Sequence, residues 1–279
     1  MGIVNVTPDS FSDGGRHLDP RAAVEHGRRL LAEGADILDI GGESTRPGAT
    51  RPLVEEELGR VVPVIEALAA EGAVVSVDTM RAVVARAAVE AGAAIVNDVS
   101  GGLVDDDMLP LVAATDATYV LMHWRAHAHH MGGFTDYPDG VAEGVRRELV
   151  DRLEAADAAG LPRERVVLDP GLGFAKKQSH NWQLLRGLDA VEGLGRPLLV
   201  GASRKSFLGS LLGSGGRPRP VGEREHAHAA LVALLADRGV ACLRVHDVRA
   251  ACDALAVWEA LRGTGDEEPW PARLAREEA

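Results

Sequence analysis

The chain has 279 residues, which is enough for one large domain or two small ones, and for a sizeable core that forms unaided. Its formal net charge of −12 argues against binding to nucleic acid or to an anionic membrane, since the field of the whole protein repels both. Two cysteines, Cys242 and Cys252, match no metal motif and argue against a disulfide framework. The N-terminus has no signal-peptide pattern, and no apolar stretch reaches the ~20 residues of a membrane span, so we expect a cytoplasmic protein.

Short apolar runs recur along the chain, and several of them finish in polar or glycine-rich residues. Successive runs begin far enough apart for a helical crossover between them. These runs predict eight strands: Gly2–Thr7, Ala35–Gly42, Val74–Thr79, Ala94–Val99, Thr118–His123, Arg165–Gly171, Leu198–Ser203 and Cys242–Val248.

Most segments between the runs have helical periodicity. In the second one, Val54, Val61, Ile65 and Leu68 fall on one face, and the apolar stripe continues past Pro63. Eight βα units predict an α/β protein with a single (β/α)8 TIM barrel over residues 1–262, with an open doubly wound sheet as the alternative. We expect residues 263–279 to form a mobile C-terminal tail.

A barrel of this kind builds its active site at the C-terminal ends of its strands. Polar residues stand at all eight predicted ends, so we expect them to converge on one mouth. They are Asn5 and Thr7, then 43–46, Asp78, Asn97 and Asp98, His123, Asp169, 203–205, and finally Arg244, His246 and Asp247.

The same strand ends carry a series of motifs along nearly the whole chain. They are Asn-Val-Thr-Pro-Asp-Ser-Phe-Ser-Asp-Gly-Gly (5–15), Gly-Gly-Glu-Ser-Thr-Arg-Pro-Gly (41–48), Val-Asp-Thr (77–79), Asn-Asp-Val-Ser-Gly-Gly (97–102), Leu-Met-His (121–123), Asp-Pro-Gly-Leu-Gly-Phe-Ala-Lys (169–176), Ser-Arg-Lys-Ser (203–206) and Arg-Val-His-Asp (244–247). In this order they resemble the dihydropteroate synthases, a family of pterin-binding TIM barrels. The resemblance implies that the amine of p-aminobenzoate displaces diphosphate from a hydroxymethyl-dihydropterin diphosphate, which forms dihydropteroate for folate synthesis.

The resemblance assigns the first two loops to the diphosphate and to p-aminobenzoate. It makes Asn5 a ligand of Mg²⁺, a hard cation that needs few protein ligands when waters and diphosphate oxygens complete its shell. It places Phe11 and Pro47 near p-aminobenzoate, and Thr45 and Arg46 near both p-aminobenzoate and the diphosphate. The alternatives are a plain turn before the helix that begins at Pro20, and a Pro-Gly turn at 47–48.

The resemblance assigns the pterin to Asp169, Asn97 and Asp78, with Gly173 and Lys205 in the same site. A buried carboxylate can accept two parallel hydrogen bonds from the ring N–H and the 2-amino group of a pterin. Val99 and Met122 would supply apolar contact. The alternatives are that Asp78 caps a helix, that Asp169 belongs only to a turn, and that Met122 is ordinary core.

Basic residues after the last two strands are expected to bind anions, as they often do in barrels. The resemblance assigns Arg244 and His246 to the diphosphate, and Phe174, Lys205 and Ser206 to p-aminobenzoate. Asp78, Lys205, Arg244 and His246 are the predicted catalytic residues. The histidines of the fifth loop fit no standard zinc spacing, so we interpret that segment as a flexible loop; they are His123, His127, His129 and His130.

Three alternatives to a synthase stay open on the sequence: a degenerate paralogue, a pterin-dependent methyltransferase barrel, and a non-catalytic pterin-binding module. The resemblance also implies a homodimer formed through outer helices. Members usually carry roughly a dozen residues before the first strand, where they cover the bottom of the barrel. We therefore expect the natural start to lie upstream, with more effect on stability than on chemistry.

Overall fold

A computed structural model describes residues 1–7, 20–43, 51–126 and 131–263. It contains eight strands: β1 (Gly2–Asn5), β2 (Ile37–Gly41), β3 (Val74–Asp78), β4 (Ile95–Asp98), β5 (Thr118–Met122), β6 (Val166–Asp169), β7 (Leu199–Val200) and β8 (Cys242–Leu243). Each of the eight predicted runs therefore contains a strand.

The strands form a closed parallel barrel. Strands β1 to β6 pair in sequence order, and β7 pairs with β8. Parallel bridges join Gly2 to Val245 and Leu168 to Leu198, which connects the two sheets at both edges. The backbone N–H of Ile3 donates to the Val245 carbonyl at 3.0 Å, and that of Leu168 donates to the Pro197 carbonyl at 2.9 Å. The TIM-barrel prediction is confirmed, and the open doubly wound sheet is excluded.

The crossovers contain the helices that the periodicity predicts. They are α1 (Pro20–Ala32), α2 (Val54–Ala70), α3 (Ala82–Glu90), α4 (Met108–Ala113), α5 (Val141–Ala158), α6 (Gln178–Arg186), α7 (Asp189–Glu192), α8 (Ser206–Leu211), α9 (Glu225–Asp237) and α10 (Val248–Arg262), with short 3-10 turns at Met131–Phe134, Arg163–Arg165 and Val221–Glu223. Helix α2 runs through Pro63, and its residues Val61, Ile65 and Leu68 are buried as expected. Within the described ranges, no helix is both long enough and apolar enough to span the bilayer.

The main core lies between the barrel and its helices. Alternate strand residues such as Val4, Ile40, Val77, Val96 and Leu168 pack into it. Because successive side chains of a strand point to opposite faces, the residues between them face the barrel interior. Several of these interior residues are polar and buried: Asp39, Ser76, Asn97 and Asp169.

Two of the polar residues expected at the mouth have structural roles instead. The Asp98 carboxylate accepts hydrogen bonds from the Ser100 backbone N–H at 2.8 Å, the Ser100 hydroxyl at 2.7 Å, the Gly102 N–H at 2.7 Å and the Tyr119 hydroxyl at 2.7 Å. It thus fixes the turn after β4. Asp247 is the N-cap of α10 and accepts from the Ala250 N–H at 2.9 Å.

The last helix ends at Arg262, and Gly263 follows in the left-handed region with φ of 69°. Of the predicted tail at 263–279, residues 264–279 lie outside the described residues.

Candidate active site

Arg244 joins four strands at the mouth of the barrel. Its Nε donates to Asp39 Oδ2 at 2.6 Å, and its Nη2 donates to Asp78 Oδ2 at 2.7 Å. The Nδ2 of Asn97 donates to the same oxygen of Asp39 at 3.0 Å. The register of β3 and β4 places Asp78 directly beside Asn97. Three predicted site residues, Asp78, Asn97 and Arg244, are therefore brought together, and Asp39 links them.

One guanidinium shared by two carboxylates leaves an excess of negative charge. Burial raises the pKa of Asp78 to about 7; Arg244 opposes this shift and the charge of Asp39 adds to it. Burial disfavours the charge on Arg244, yet the two carboxylates raise its pKa above the ordinary value. Asp39 is fully buried, and its Oδ1 has no hydrogen-bond partner. The centre of the site is therefore strongly charged, and the charges of its side chains can respond to a bound anion.

Asp169 and Lys205 form the opposite side of the mouth. Asp169 Oδ1 accepts from the Gly171 N–H at 2.7 Å, and the Lys205 ammonium donates to the Leu172 carbonyl. Burial raises the pKa of Asp169, and the charge of Lys205 opposes that shift. Burial also lowers the pKa of Lys205 to about 8, against the attraction of Asp169. A carboxylate and an ammonium in one buried site can bind a polar heterocycle through its edge.

The turn after β6 packs on Lys205. The Phe174 ring centroid lies 4.9 Å from Lys205 Nζ, which is a cation–π distance. Gly173 has φ of 80°, and a Cβ at this position would lie 3.1 Å from Lys205 Cδ. The backbone N–H of Gly173 donates to Asn181 Oδ1 at 2.6 Å. Predicted residues Gly173, Phe174 and Lys205 thus meet, and the buried Asn181 of α6 supports them.

A second, smaller apolar cluster lies beside these polar groups. It consists of Met80, Val99 and Met122, with Val104, Trp124 and Phe174 packed against it. The register of β5 and β6 places Met122 directly beside Asp169. Val99 and Met122, which were predicted to contact the pterin, therefore belong to one apolar surface that can receive a flat ring. Met122 is not part of the main core.

Residues after β7 and β8 complete the basic side. Ser203 Oγ lies 2.9 Å from His246 Nδ1 and also accepts from the His246 N–H at 3.2 Å. The Ser206 hydroxyl accepts from Gln178 Nε2 at 3.2 Å. Arg204, which we had expected at the mouth, instead donates through Nε to Glu225 of α9 at 2.9 Å. Its backbone has φ of 61°, whereas Lys205 has the extended backbone of the N-cap of α8.

Side chains of α2 and of the segment after β3 hold both ends of the second loop, and the buried carboxylate of Glu57 supports one of these ends. Glu57 accepts from Thr79 Oγ1 at 2.6 Å and from Arg81 Nη1 at 2.7 Å. Arg81 Nη2 donates to the Pro52 carbonyl at 2.6 Å, and Arg60 Nη1 donates to the Gly42 carbonyl at 2.8 Å. These contacts hold the segments on either side of residues 44–50.

Several predicted residues cannot be placed. Phe11, Thr45, Arg46 and Pro47 lie outside the described residues, as do His127, His129 and His130.

Asn5 ends β1, where it pairs with Gly41 of β2. In the part of the chain that the structure describes, no group of three or more His, Cys, Asp or Glu residues has the geometry of a metal site.

Comparisons with known proteins agree with this geometry. A sequence profile described as pterin binding enzyme matches residues 1–246. The chain therefore belongs to the pterin binding enzyme family.

Relatives within that family include dihydropteroate synthases. The enzyme named dihydropteroate synthase from Mycobacterium leprae is 54% identical over 259 residues, which cover 92% of this chain and 91% of that protein. The structure of Xanthomonas albilineans dihydropteroate synthase with 4-aminobenzoic acid has 49% identity and a TM-score of 0.85, and the match covers 94% of this chain and 92% of the other. The structure of the same enzyme with 7,8-dihydropteroate has 46% identity and a TM-score of 0.82, with the same coverage.

Proposed function

We propose that this chain condenses 6-hydroxymethyl-7,8-dihydropterin diphosphate with p-aminobenzoate, giving 7,8-dihydropteroate and diphosphate for folate synthesis. The observation that carries the proposal is the mouth of the barrel. There, the buried carboxylate of Asp169, the Lys205 ammonium and the apolar surface of Val99 and Met122 adjoin Arg244 and its two carboxylates. The dihydropteroate synthase relatives support the same transferase activity.

The pterin is recognised by its polar edge and its flat faces. Asp169 accepts from the ring N–H and the 2-amino group, because a carboxylate has two oxygens that match this pair of donors. Lys205, Asn97 and Asp78 contact the remaining polar ring atoms. Val99 and Met122 pack on the ring, which favours a planar apolar ligand through the burial of its surface.

The reaction breaks the C–O bond between the pterin methylene and the diphosphate and forms a C–N bond to p-aminobenzoate. Diphosphate leaves early, and the electron-rich pterin delocalises the positive charge, which Asp78 stabilises when ionised. Arg244 and His246 stabilise the charge that builds on the leaving oxygens, an effect that is often the largest one in catalysis. The neutral aryl amine then attacks and releases its proton to solvent, so no strong general base is required.

We propose that Mg²⁺ is the cofactor and that the side-chain oxygen of Asn5 is its protein ligand. The donor set fits, because Mg²⁺ prefers hard oxygen ligands, keeps several waters and often takes the remaining ligands from substrate phosphates. Bound there, the ion would neutralise charge on the diphosphate. The first two loops would cover the diphosphate and p-aminobenzoate with Phe11, Thr45, Arg46 and Pro47. The p-aminobenzoate site would be lined by Phe174 and Ser206.

We also propose that the enzyme is a cytoplasmic homodimer. Both cysteines are free, which suits a reducing compartment. Helices α9 and α10 leave Leu234, Val257 and Leu261 exposed, an apolar surface on outer helices that a second copy can cover. Light scattering with size-exclusion chromatography should give twice the mass of the chain, and a monomer at micromolar concentration would contradict the dimer.

The deciding experiment measures diphosphate release from the dihydropterin diphosphate and Mg²⁺, with and without p-aminobenzoate. Release that depends on p-aminobenzoate, with dihydropteroate as the product, is expected. Asp169→Ala and Lys205→Ala should each lower kcat/KM strongly, whereas Arg163→Ala, on the exposed surface, should not. A folded wild-type protein that binds the pterin without turnover would instead indicate a degenerate paralogue or a binding module. Binding of methyltetrahydrofolate with methyl transfer would indicate the methyltransferase.

A further inference from the structure

A partly buried, hydrogen-bonded chain of charged and polar side chains lies behind the turn after β6, and the reaction described above does not use it. Lys176 Nζ lies 2.9 Å from His123 Nδ1, and it donates to the carbonyls of Gly171 at 2.9 Å and Phe174 at 3.1 Å. The other ring nitrogen of His123, Nε2, lies 3.0 Å from Glu148 Oε2. His123 is buried almost completely.

The protonation states along this chain follow from its contacts. Hydrogen bonds from His123 and Arg125 outweigh burial and lower the pKa of Glu148 to about 2, so this side chain is a carboxylate at neutral pH. A carboxylate only accepts, so His123 carries its proton on Nε2. Burial, with the charge of Lys176 next, lowers the pKa of His123 to about 4, so the imidazole is neutral and Nδ1 is an acceptor.

Lys176 must then donate to three acceptors. An ammonium has three N–H groups, whereas a neutral amine has two, so the geometry requires the charged form. Burial, and after it the charge of Lys205, lowers the pKa of Lys176 well below its ordinary value. We conclude that the three acceptors keep the ammonium charged at neutral pH, because each of them would otherwise lose its donor.

The Glu148 end of this hydrogen-bond chain is fixed to the fifth loop. Arg125 Nε donates to Glu148 Oε2 at 2.9 Å, and its Nη1 donates to the carbonyls of Phe134 at 2.8 Å and Asp136 at 2.7 Å. The guanidinium lies 3.9 Å from the centroid of the Tyr137 ring. Glu148 is therefore held from two sides and cannot easily turn away from His123.

At the other end of this hydrogen-bond chain, Lys176 fixes the turn that contacts Lys205. The two carbonyls bound by Lys176, those of Gly171 and Phe174, bracket this turn. Inside it, the Leu172 carbonyl accepts from Lys205, and the Phe174 ring lies against the same ammonium. A shift of the turn would therefore displace both side chains that face the pterin and p-aminobenzoate.

We propose that Lys176, His123 and Glu148 are positioning residues that fix the turn at 171–174 and, through it, Lys205 and Phe174 in their productive positions. This proposal rests on the function proposed for the mouth of the barrel. None of the three residues needs to touch a substrate. Their effect is to preorganise two residues that do.

The first test compares Lys176→Met with Lys177→Met, which makes the same change at the neighbouring, exposed lysine. Lys176→Met should raise KM for p-aminobenzoate and weaken pterin binding, with kcat/KM falling up to about 100-fold, because a misplacement of ~1 Å can cost that much. Lys177→Met should behave as the wild type. A smaller folded fraction would lower kcat and leave KM unchanged, so a rise in KM distinguishes positioning from a loss of stability. Wild-type KM values in folded Lys176→Met would overturn the proposal.

The second test observes the wild-type protein directly and does not depend on turnover. The ¹⁵N chemical shifts of the wild-type imidazoles at pH 7 should show His123 as the neutral Nε2–H tautomer, assigned by the loss of its signals in His123→Gln. An Nδ1–H tautomer or an imidazolium would overturn the chain of hydrogen bonds. If the wild type shows the expected tautomer but no turnover, the proposed function fails and the hydrogen-bond chain stands.

Discussion

Arg244 Nε donates to Asp39 Oδ2 at 2.6 Å, and this contact joins β8 to β2 across the mouth, past the intervening β1. Asp39 also accepts from Asn97, so one carboxylate holds a residue of the pterin side and a residue of the diphosphate side. The distance between these two sides is therefore set by a fully buried residue of the barrel interior.

Asp39→Ala should destabilise the protein by about 3 kcal/mol, near the lower end of the cost of leaving a buried charge without one partner, since Arg244 keeps Asp78. Urea denaturation at pH 7 measures this change. The matched control is Asp157→Ala, which breaks a pair with Arg163 on the exposed surface and should leave the midpoint unchanged. Equal midpoints for the two variants would show that the Asp39 pair does not stabilise the barrel.

Asp78 should make stability depend on pH in a defined direction. Its pKa is about 7 in the folded protein and 3.8 as the ordinary value, so the folded chain binds more protons between these limits. The stabilisation is complete below the unfolded pKa and is lost as pH rises through the folded pKa. We expect the free energy of unfolding of the wild type, minus that of Asp78→Asn, to fall from pH 4 to pH 7. A difference that rises or stays constant over this range would contradict the raised pKa.

Strand ends were the predictable part of the site, because an apolar run followed by a polar residue is visible in the sequence. The structure brings Asn97, Asp169, Lys205 and Arg244 to the mouth, where the strand ends predict them. Asp39 was missed because it lies inside an apolar run, between Leu38 and Ile40. A charged residue in a buried strand requires a partner, so its position was itself a signal.

Two further residues were missed for related reasons. Glu57 lies on the apolar face of α2, three residues after Val54 and four before Val61, where an acidic residue also requires a partner. Its partners, Thr79 and Arg81, belong to the next βα unit, so the pairing follows from the packing of the helices. Lys176 ends the motif at 169–176, but its contact with His123 follows from the pairing of β5 with β6.

Gly171 should tolerate no side chain. Its φ is 67°, and a Cβ there would lie 2.2 Å from the backbone oxygen of His123, which cannot move without moving the end of β5. Gly195 has φ of 69° and nothing within 4 Å of such a Cβ. A substitution there therefore measures only the free-energy cost of a positive φ for a residue with a side chain. Gly195→Ala should cost roughly 1 kcal/mol, and Gly171→Ala distinctly more, with weaker pterin binding as well. Denaturation midpoints measure the loss of stability, and calorimetry measures pterin binding. Equal losses of stability in the two variants would mean that the close approach to His123 does not constrain the turn.

The turn after β4 allows stability and substrate binding to be separated. Tyr119→Phe removes one of the donors to Asp98, but the Gly102 N–H still donates to the same oxygen at 2.7 Å. The variant should lose about 1.5–3 kcal/mol of stability, as expected for one hydrogen bond to a charged group, and keep its affinity for the pterin.

Asp98→Ala should affect both properties. It leaves the N–H groups of Ser100 and Gly102 without their acceptor, so the turn that carries Val99 loses its fixed shape. Because Val99 belongs to the apolar surface beside Asp169, the dissociation constant of the pterin should rise in addition to a larger loss of stability. Isothermal calorimetry on folded protein separates the two. If pterin affinity falls equally in Tyr119→Phe and Asp98→Ala, the hydroxyl itself sets the position of Val99; if it falls in neither, the turn holds Val99 without the carboxylate.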